Sequence, residues 1–507
     1  VPNLLFRLTG GDWRIILYHL GRMLHLLSLV FLLPLVPALF YGELDTLPHF
    51  LLTSGLTLLL ATLLSRSCQT EEPMELKHAL CLVALAWLSA SLLASLPLWL
   101  GGACASPLDA CFESLSGFTG TGLSLVTDPD HLARSVNFHR HLLQFLGDGV
   151  GIVAVSLAVL GRTEISSVLA FRGEAREEGI RPSVVRTTRL IFGMAFTFFL
   201  VGAAMFTLAG IYEGADPGTA LFDGICHSFT GYATGGFSPH SQNLMYYHGM
   251  IYEIVAMVLM VIGALNFNLH YALLTGKRGE VFRNTEARVF FLTTLLLGTF
   301  TVLLLFSRGI YSSAEALFRR GVFQLVSAQT TTGFSTVPSL HLALLWPLPL
   351  LFLLSLAMLL GGCANSTSGG IKSLRVGILL KSLALELRRP FLPRSAVVGE
   401  RFHHLRDSPL TPQLVRGAAV VATSYLLLFV AGSLLTMAYG YGAEQAMFET
   451  SSALSNVGLS CGITSPSMPV GLKVTYMLLM WMGRLEVITV LVFLIALALG
   501  LQRRRME

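Results

Sequence analysis

The sequence predicts an all-α polytopic membrane protein: an N-terminal helix pair, then four pseudo-repeated units around a central ion pore. Each unit is a span, a short pore helix and a second span. Three observations carry this prediction. Only 12% of the 507 residues are charged and 53% are hydrophobic, whereas a soluble domain is about 25% charged. Apolar runs of spanning length recur along the chain, at roughly 18–40, 48–65, 78–100, 142–161, 190–212, 250–274, 288–307, 342–380 (interrupted), 414–439 and 471–501. Finally, four short segments share the order Gly, then Leu or Phe, then Ser. They are Gly120-Thr121-Gly122-Leu123-Ser124, Thr234-Gly235-Gly236-Phe237-Ser238, Thr331-Thr332-Gly333-Phe334-Ser335 and Asn456-Val457-Gly458-Leu459-Ser460.

The central glycines recur at intervals of roughly one hundred residues, the mark of an internal repeat. Phe112, Phe323 and Phe448 precede them at one offset, where the second copy has Cys226. Glu113 and Glu449 stand one position later in the outer copies. The repeat divides the chain into an N-terminal helix pair (1–72) and four units (73–165, 166–280, 281–400 and 401–507).

The first apolar run reads as a retained helix, since no small-residue cleavage site follows it. Within each unit comes a short amphipathic stretch: 109–119, 219–232, 317–330 and 444–455. These are too short to cross a bilayer, and a re-entrant helix is the natural reading. The irregular backbone after each is tolerated at membrane depth only inside protein or beside a watery cavity.

Orientation follows from Lys and Arg in short loops. The 162–189 loop carries Arg162, Arg172, Arg176, Arg181, Arg186 and Arg189. The 275–288 loop has Lys277, Arg278, Arg283 and Arg288. The 381–416 loop has Lys381, Arg388, Arg389, Arg394, Arg401, Arg406 and Arg416, and the tail has Arg503, Arg504 and Arg505. These place both termini in the cytoplasm; Arg319 and Arg320 break the rule on the outer side. The net charge of +5 thus reports topology in membrane lipid, not nucleic-acid binding. The seven cysteines form no close ligand pair and read as scattered structural thiols. No enzyme motif is present, so no covalent chemistry and no cofactor are expected.

At the glycines the chemistry is that of a cation filter. Rings of backbone carbonyls replace an ion's water shell, and glycine permits the positive φ such a backbone needs. The short helices aim their negative C-terminal ends at the same place. The filter residues are therefore Gly120, Thr121, Gly122, Thr234, Gly235, Gly236, Thr331, Thr332, Gly333, Asn456, Val457 and Gly458, with K⁺ as the transported ion. Outer carboxylates, Glu113 and Glu449 foremost, would form a negative mouth.

A second segment interrupts an apolar span: Gly361-Gly362-Cys363-Ala364-Asn365-Ser366-Thr367-Ser368-Gly369-Gly370-Ile371-Lys372. It does not match a phosphate-binding loop, and reads as a flexible intramembrane gate. Its working residues are Gly361, Gly362, Asn365, Ser366, Thr367, Gly369, Gly370 and Lys372. Arg484, inside the last span, is costly there and marks function; it would be a barrier beneath the filter. Asp148 is a weaker case of the same kind, and Asn266 reads as a helix-packing amide.

The four filters, this loop and Gly483-Arg484-Leu485-Glu486 together resemble the Trk/Ktr/HKT superfamily of potassium transporters, and are most similar to its bacterial TrkH/TrkG branch. The resemblance covers nearly the whole chain. It implies K⁺ selectivity decided at Gly122, gating by residues 361–372 with Arg484, a homodimer with two pores, a bacterial inner-membrane location, and a TrkA-type cytosolic nucleotide-binding regulatory subunit docked on the basic loops. Two other readings stay open: a Na⁺-conducting or Na⁺/K⁺-coupled transporter of the same fold, and a membrane enzyme or receptor whose glycines only pack helices.

Overall fold

The computed structural model describes residues 8–150, 184–393 and 399–504. The described chain is helical apart from one antiparallel hairpin, β1 (Arg401–His404) and β2 (Arg406–Pro409), a small addition within the 381–416 loop.

The N-terminal pair is α1 (Gly10–Val30) and α3 (Leu47–Ser67), joined through α2 (Leu35–Phe40). Helix α1 starts well before residue 18. Thr9 and Asp12 form a reciprocal capping box, and Asp12 is held by Lys77 at 2.9 Å and His78 at 2.6 Å. A paired carboxylate at its start hid this helix end from a hydropathy reading.

Repeat one contains α4 (Leu76–Leu100), the short helix α5 (Pro107–Phe118) and α6 (Arg134–Gln144), which runs into a π turn at Phe145–Val150. The span expected from 142 therefore begins at Arg134. Its first turns carry Asn137, His139, Arg140 and His141, all buried in protein, so their polarity did not mark a loop. The rest of that span, and Arg162, Arg172, Arg176 and Arg181, lie outside the described residues.

Repeat two contains α7 (Val184–Tyr212), the short α8 (Pro217–Tyr232), α9 (Met250–Ala264) and α10 (Phe267–Leu274). The expected straight span 250–274 is instead bent by 102°. Asn266 causes the restart: its side chain accepts from the Asn268 N–H and caps α10.

Repeat three contains α11 (Thr285–Ser307), the short α12 (Phe323–Gln329) entered through a π turn at Leu317–Val322, α13 (Leu348–Leu360) and α14 (Ser373–Arg388). Repeat four contains α15 (Pro412–Ala438), the short α16 (Ala443–Leu454), α17 (Val470–Arg484) and α18 (Ile488–Arg504). The expected span 471–501 is bent by 119°, through Glu486 and Val487, both at φ +56°.

The spans at 250–274 and 471–501 are thus corrected from straight to bent, and the remainder of 142–161 lies outside the described residues. Among the described residues, six helices are long and apolar enough to cross a membrane, and the two bent pairs bring the number to eight. Leu59, Leu208, Leu295 and Leu427 point outward from these helices, more than half exposed, as a lipid-facing surface requires. The repeated Phe112, Phe323 and Phe448 are fully buried, each anchoring its short helix in an apolar cluster. All seven cysteines are free thiols.

Candidate ion filter and the loop beside it

All four short helices end the same way. The N–H groups of Thr121, Gly235, Thr332 and Val457 reach back to the carbonyls of Ser116, Thr230, Ser327 and Ser452, at 2.8–2.9 Å. The N–H groups of Gly120, Thr234, Thr331 and Asn456 bond Gly117, Gly231, Ala328 and Ala453. This paired pattern is the Schellman motif, whose C′ residue is left-handed. Gly120 sits at φ +64°, Thr234 at +51°, Thr331 at +56° and Asn456 at +56°. Glycine is the usual residue there; a β-branched threonine in this region costs on the order of 1–2 kcal/mol.

Two residues on, Gly122, Gly236, Gly333 and Gly458 are left-handed again, with φ between +77° and +92°. Left-handed residues thus alternate with ordinary ones along each segment, so its backbone continues neither as helix nor as strand. The four segments close into a ring. A Cβ on Gly122 would collide with the Gly235 carbonyl, one on Gly236 with that of Thr332, one on Gly333 with that of Val457, and one on Gly458 with that of Thr121. Every central glycine is required by both conformation and contact. Two further bonds tie neighbouring segments: Gln144 donates to the Gly235 carbonyl at 2.6 Å, and Asn456 donates to Thr121 Oγ1 at 2.9 Å.

Glu113 and Glu449 do not form a negative mouth. Both are fully buried, and they brace the filter from behind. Glu113 accepts from Ser124 Oγ at 2.9 Å and the Leu125 N–H at 2.8 Å. Glu449 accepts from Ser460 Oγ at 2.5 Å, from the Cys461 and Ile463 N–H groups at 3.0 Å, and from Thr464 Oγ1 at 3.1 Å. His227 meets Ser238 Oγ at 3.1 Å, and Gln324 Oε1 accepts from Ser335 Oγ at 3.4 Å. One position therefore braces the filter serine in all four copies, with different chemistry. The charges differ too. Arg140 neutralises Glu113 at 2.6 Å and lies over the Phe237 ring. Among the described residues no basic group comes within ion-pair distance of Glu449.

The loop at 361–372 lies directly against the filter. Thr234 Oγ1 donates to Thr367 Oγ1 at 3.0 Å, Thr331 Oγ1 donates to Ser368 Oγ at 3.0 Å, and Thr331 Oγ1 accepts from the Gly369 N–H at 2.7 Å. A Cβ on Gly369 would strike the Ser455 carbonyl. The two strained threonines thus latch the loop. Its backbone pairs with the break between α9 and α10: Cys363 N–H to Ala264 at 2.9 Å, Thr367 N–H to Gly263 at 3.2 Å, and Phe267 N–H to the Asn365 carbonyl at 2.9 Å. Two irregular segments thereby satisfy each other, as buried backbone must.

Within the loop, Ser366 Oγ donates to the Cys363 carbonyl at 2.5 Å, and Gly362 N–H bonds Ser368 Oγ at 2.8 Å. Gly361 and Gly370 are left-handed and pressed together, while Lys372 donates to the Ser368 carbonyl. Arg484 donates to the carbonyls of Thr367 and Gly147, each at 3.2 Å. Glu486 pairs with Arg375, at 2.5 and 3.0 Å. The described π turn ends at Val150, and the Asp148 side chain lies outside what the structure describes.

Several contributors escaped the sequence reading. Arg140 and Gln144 were hidden at the head of an apolar run. Gln329 donates to the Gly361 carbonyl at 3.0 Å. Glu286 accepts from Asn266 Nδ2 at 3.1 Å and from the Ala364 N–H. Lys473 is buried with Asp109 at 2.5 Å and locks α17 to α5. The one available signal was the serine that follows every central glycine, which called for a partner.

The TrkH family profile, described as cation transport protein, matches residues 47–498. The chain is 32% identical to an uncharacterized cation transporter of Methanocaldococcus jannaschii, covering 96% of both. It is 32% identical to the Trk system potassium uptake protein TrkH of Halomonas elongata, over 94% of this chain and 98% of that one. The crystal structure of the potassium transporter TrkH from Vibrio parahaemolyticus superposes with a TM-score of 0.81 at 30% identity, covering 95% of this chain and 98% of that one. An all-helical multi-pass membrane chain, with bent spans and four matching glycine turns, belongs to the TrkH cation transport family.

Proposed function

We propose that this cation transporter conducts K⁺ through the ring formed by residues 120–122, 234–236, 331–333 and 456–458, and that the 361–372 loop is its gate. The observation that carries this is the closed ring of four left-handed glycines. Such a backbone offers carbonyl oxygens in place of an ion's hydration shell, beneath the negative ends of four short helices. Glycine at Gly122 and its three counterparts supports K⁺ over a Na⁺-conducting relative. The gate reading rests on the bonds from Thr234 and Thr331 to the loop, and on Arg484 holding the Thr367 carbonyl. In this reading the loop occupies its closed seat, and Arg484 adds a positive charge on the ion's route.

The loop charges favour both termini in the cytoplasm and the filter opening outward, and resemblance to Trk systems supports a bacterial inner-membrane location. Resemblance to Trk systems supports a homodimer of two pores and a TrkA-type nucleotide-binding partner on the loops at 162–189 and 381–416. The division into a helix pair and four units follows the repeat.

The test is expression in a bacterium lacking its own K⁺ uptake. The wild-type chain with its partner restores growth at low K⁺, and Arg484→Ala raises uptake without the partner several-fold. Failure of the wild type to restore growth contradicts the transport reading. Unchanged uptake in Arg484→Ala contradicts the gate.

A further inference from the structure

An open cavity of about 290 Å³ lies between α1 and α3, lined by Tyr18, Arg22, His25, Ser65 and Gln69. Its polar groups are not equally engaged. His25 is already held, by the Gly21 carbonyl at 2.8 Å and Thr62 Oγ1 at 3.4 Å. Arg22 makes no hydrogen bond and no ion pair among the described residues. Its guanidinium only leans on the Tyr18 ring, 5.8 Å from the centroid. Nη1 is enclosed by protein, whereas Nε and Nη2 stay accessible. Tyr18 is 7% exposed, and its hydroxyl is likewise accessible and without a partner among the described residues. Three donors on residues lining one cavity are therefore unused, and none of its lining residues is acidic.

The level of the cavity follows from packing. A Cβ on Gly21 would strike the Ser65 nitrogen, so Arg22 stands beside the last turn of α3. The 21 residues of α3 extend about 30 Å, the thickness of a bilayer's hydrocarbon core. Their last turn therefore reaches head-group level. Toward the middle of the span, the same two helix faces present Leu29 and Leu58, which are 62% and 48% exposed.

We infer that this cavity binds one anionic glycerophospholipid, with its phosphate on Arg22 and the Tyr18 hydroxyl and an acyl chain along Leu29 and Leu58. The Nε and Nη2 edge of a guanidinium pairs with two phosphate oxygens at once, and the tyrosine adds a third donor. With no carboxylate in the cavity, the ammonium of a zwitterionic head group finds no partner there. One lipid anion matches the one unpaired cation, as in basic pockets between spans at the membrane surface. Water hydrates the donors but makes no use of the apolar track beside them. The site lies on the N-terminal helix pair and is independent of the filter and the gate.

For the test, the full chain is purified in detergent, incubated with phosphatidylglycerol or phosphatidylethanolamine of matched acyl chains, and weighed intact by native mass spectrometry. The wild type should retain one phosphatidylglycerol per chain and hold phosphatidylethanolamine about tenfold more weakly, a difference of about 1.4 kcal/mol. Arg22→Gln breaks no hydrogen bond within the described protein and should weaken phosphatidylglycerol retention about tenfold. Tyr18→Phe removes only an unpaired hydroxyl and should weaken it about threefold. Arg66→Gln is the control: Arg66 stands in the last turn of α3 but does not line the cavity, so retention should be unchanged. Glycerol phosphate, the head group without chains, should not displace the lipid at equal concentration. Unfolding temperatures in lipid-free detergent, equal to that of the wild type, certify that each variant is folded. No retained lipid, equal retention of the two lipids, or wild-type retention by both Arg22→Gln and Tyr18→Phe overturns the site. A loss in Arg66→Gln as large as in Arg22→Gln replaces it with diffuse attraction to a basic surface, and displacement by glycerol phosphate overturns the lipid as its occupant.

Discussion

Glu113 and Glu449 occupy one position in the repeat and perform one structural task, yet they carry different electrostatic loads. Glu113 is buried against Arg140, so the pair is neutral. Glu449 is caged by hydroxyl and amide donors with no basic group at ion-pair distance among the described residues. Breaking a buried pair strands its partner, a cost of about 3–5 kcal/mol. Glu113→Gln should therefore lose stability of that order, visible as a lower unfolding temperature in detergent. Glu449→Gln strands no cation, and instead removes a negative charge beside the filter. Its half-saturating K⁺ concentration should rise roughly fivefold, corresponding to about 1 kcal/mol of a partly buried charge interaction. Equal stability losses in both variants, with K⁺ affinity unchanged, would contradict the division of roles. The sequence named these two residues correctly as special and misplaced them. Repetition along a chain shows that a residue matters, but not whether it faces ion or protein.

At the scale of elements, the short helices were legible because their ends obey local rules. The filter turn is a helix C-terminus, and its left-handed residues are glycine where a Cβ would collide. The bent spans were not legible, because hydropathy is blind to direction. Residues 250–274 and 471–501 stay apolar across their breaks, and only Asn266 and Glu486 hint at the hinges. The filter-facing loops hold a further element, a clamp between repeats one and two. His240 meets Asp130 at 2.8 Å through one ring nitrogen and Asp223 at 3.0 Å through the other, and stacks on Tyr246. A neutral imidazole donates only once, so both contacts call for the charged ring. Burial pulls the His240 pKa down, but hydrogen bonds and attraction to Asp223 and Asp130 prevail and hold it above its ordinary value. Tyr247 also donates to Asp223, at 2.8 Å, and His227 lies one turn along α8. A raised folded pKa gives stabilisation that is complete below the unfolded value, about 6.5, and lost as pH rises through the folded value. Hydrogen exchange of residues 239–249, corrected for intrinsic rates, should be slower at pH 6 than at pH 9, and His240→Asn should abolish the difference. Protection that is independent of pH in the wild type would rule out the clamp.

Across the whole molecule, four repeats of one sequence plan become four quarters of one ring. The ring closes because the fourth quarter returns to the first. Gly458 packs on the Thr121 carbonyl, Asn456 bonds Thr121, and the buried Lys473–Asp109 pair fastens α17 to α5. The repeat itself was plain in the sequence; its closure was not, since it depends on contacts between residues more than three hundred positions apart. The polar loop inserts where the break between α9 and α10 leaves backbone groups to be paired, which couples ring and loop in one hydrogen-bonded body.

The central claim is that this ring selects the ion, and Gly122 tests it most directly. The measurement is K⁺, Rb⁺ and Na⁺ flux through the purified protein in liposomes, wild type against Gly122→Ser. Gly122 is left-handed and packed on the Gly235 carbonyl, so a serine Cβ must push that quarter of the ring apart. The account predicts K⁺ and Rb⁺ flux well above Na⁺ in the wild type, and a shift toward Na⁺ of about tenfold or more in the variant, at least 1.4 kcal/mol of lost discrimination. Unchanged selectivity in a folded Gly122→Ser protein would contradict it.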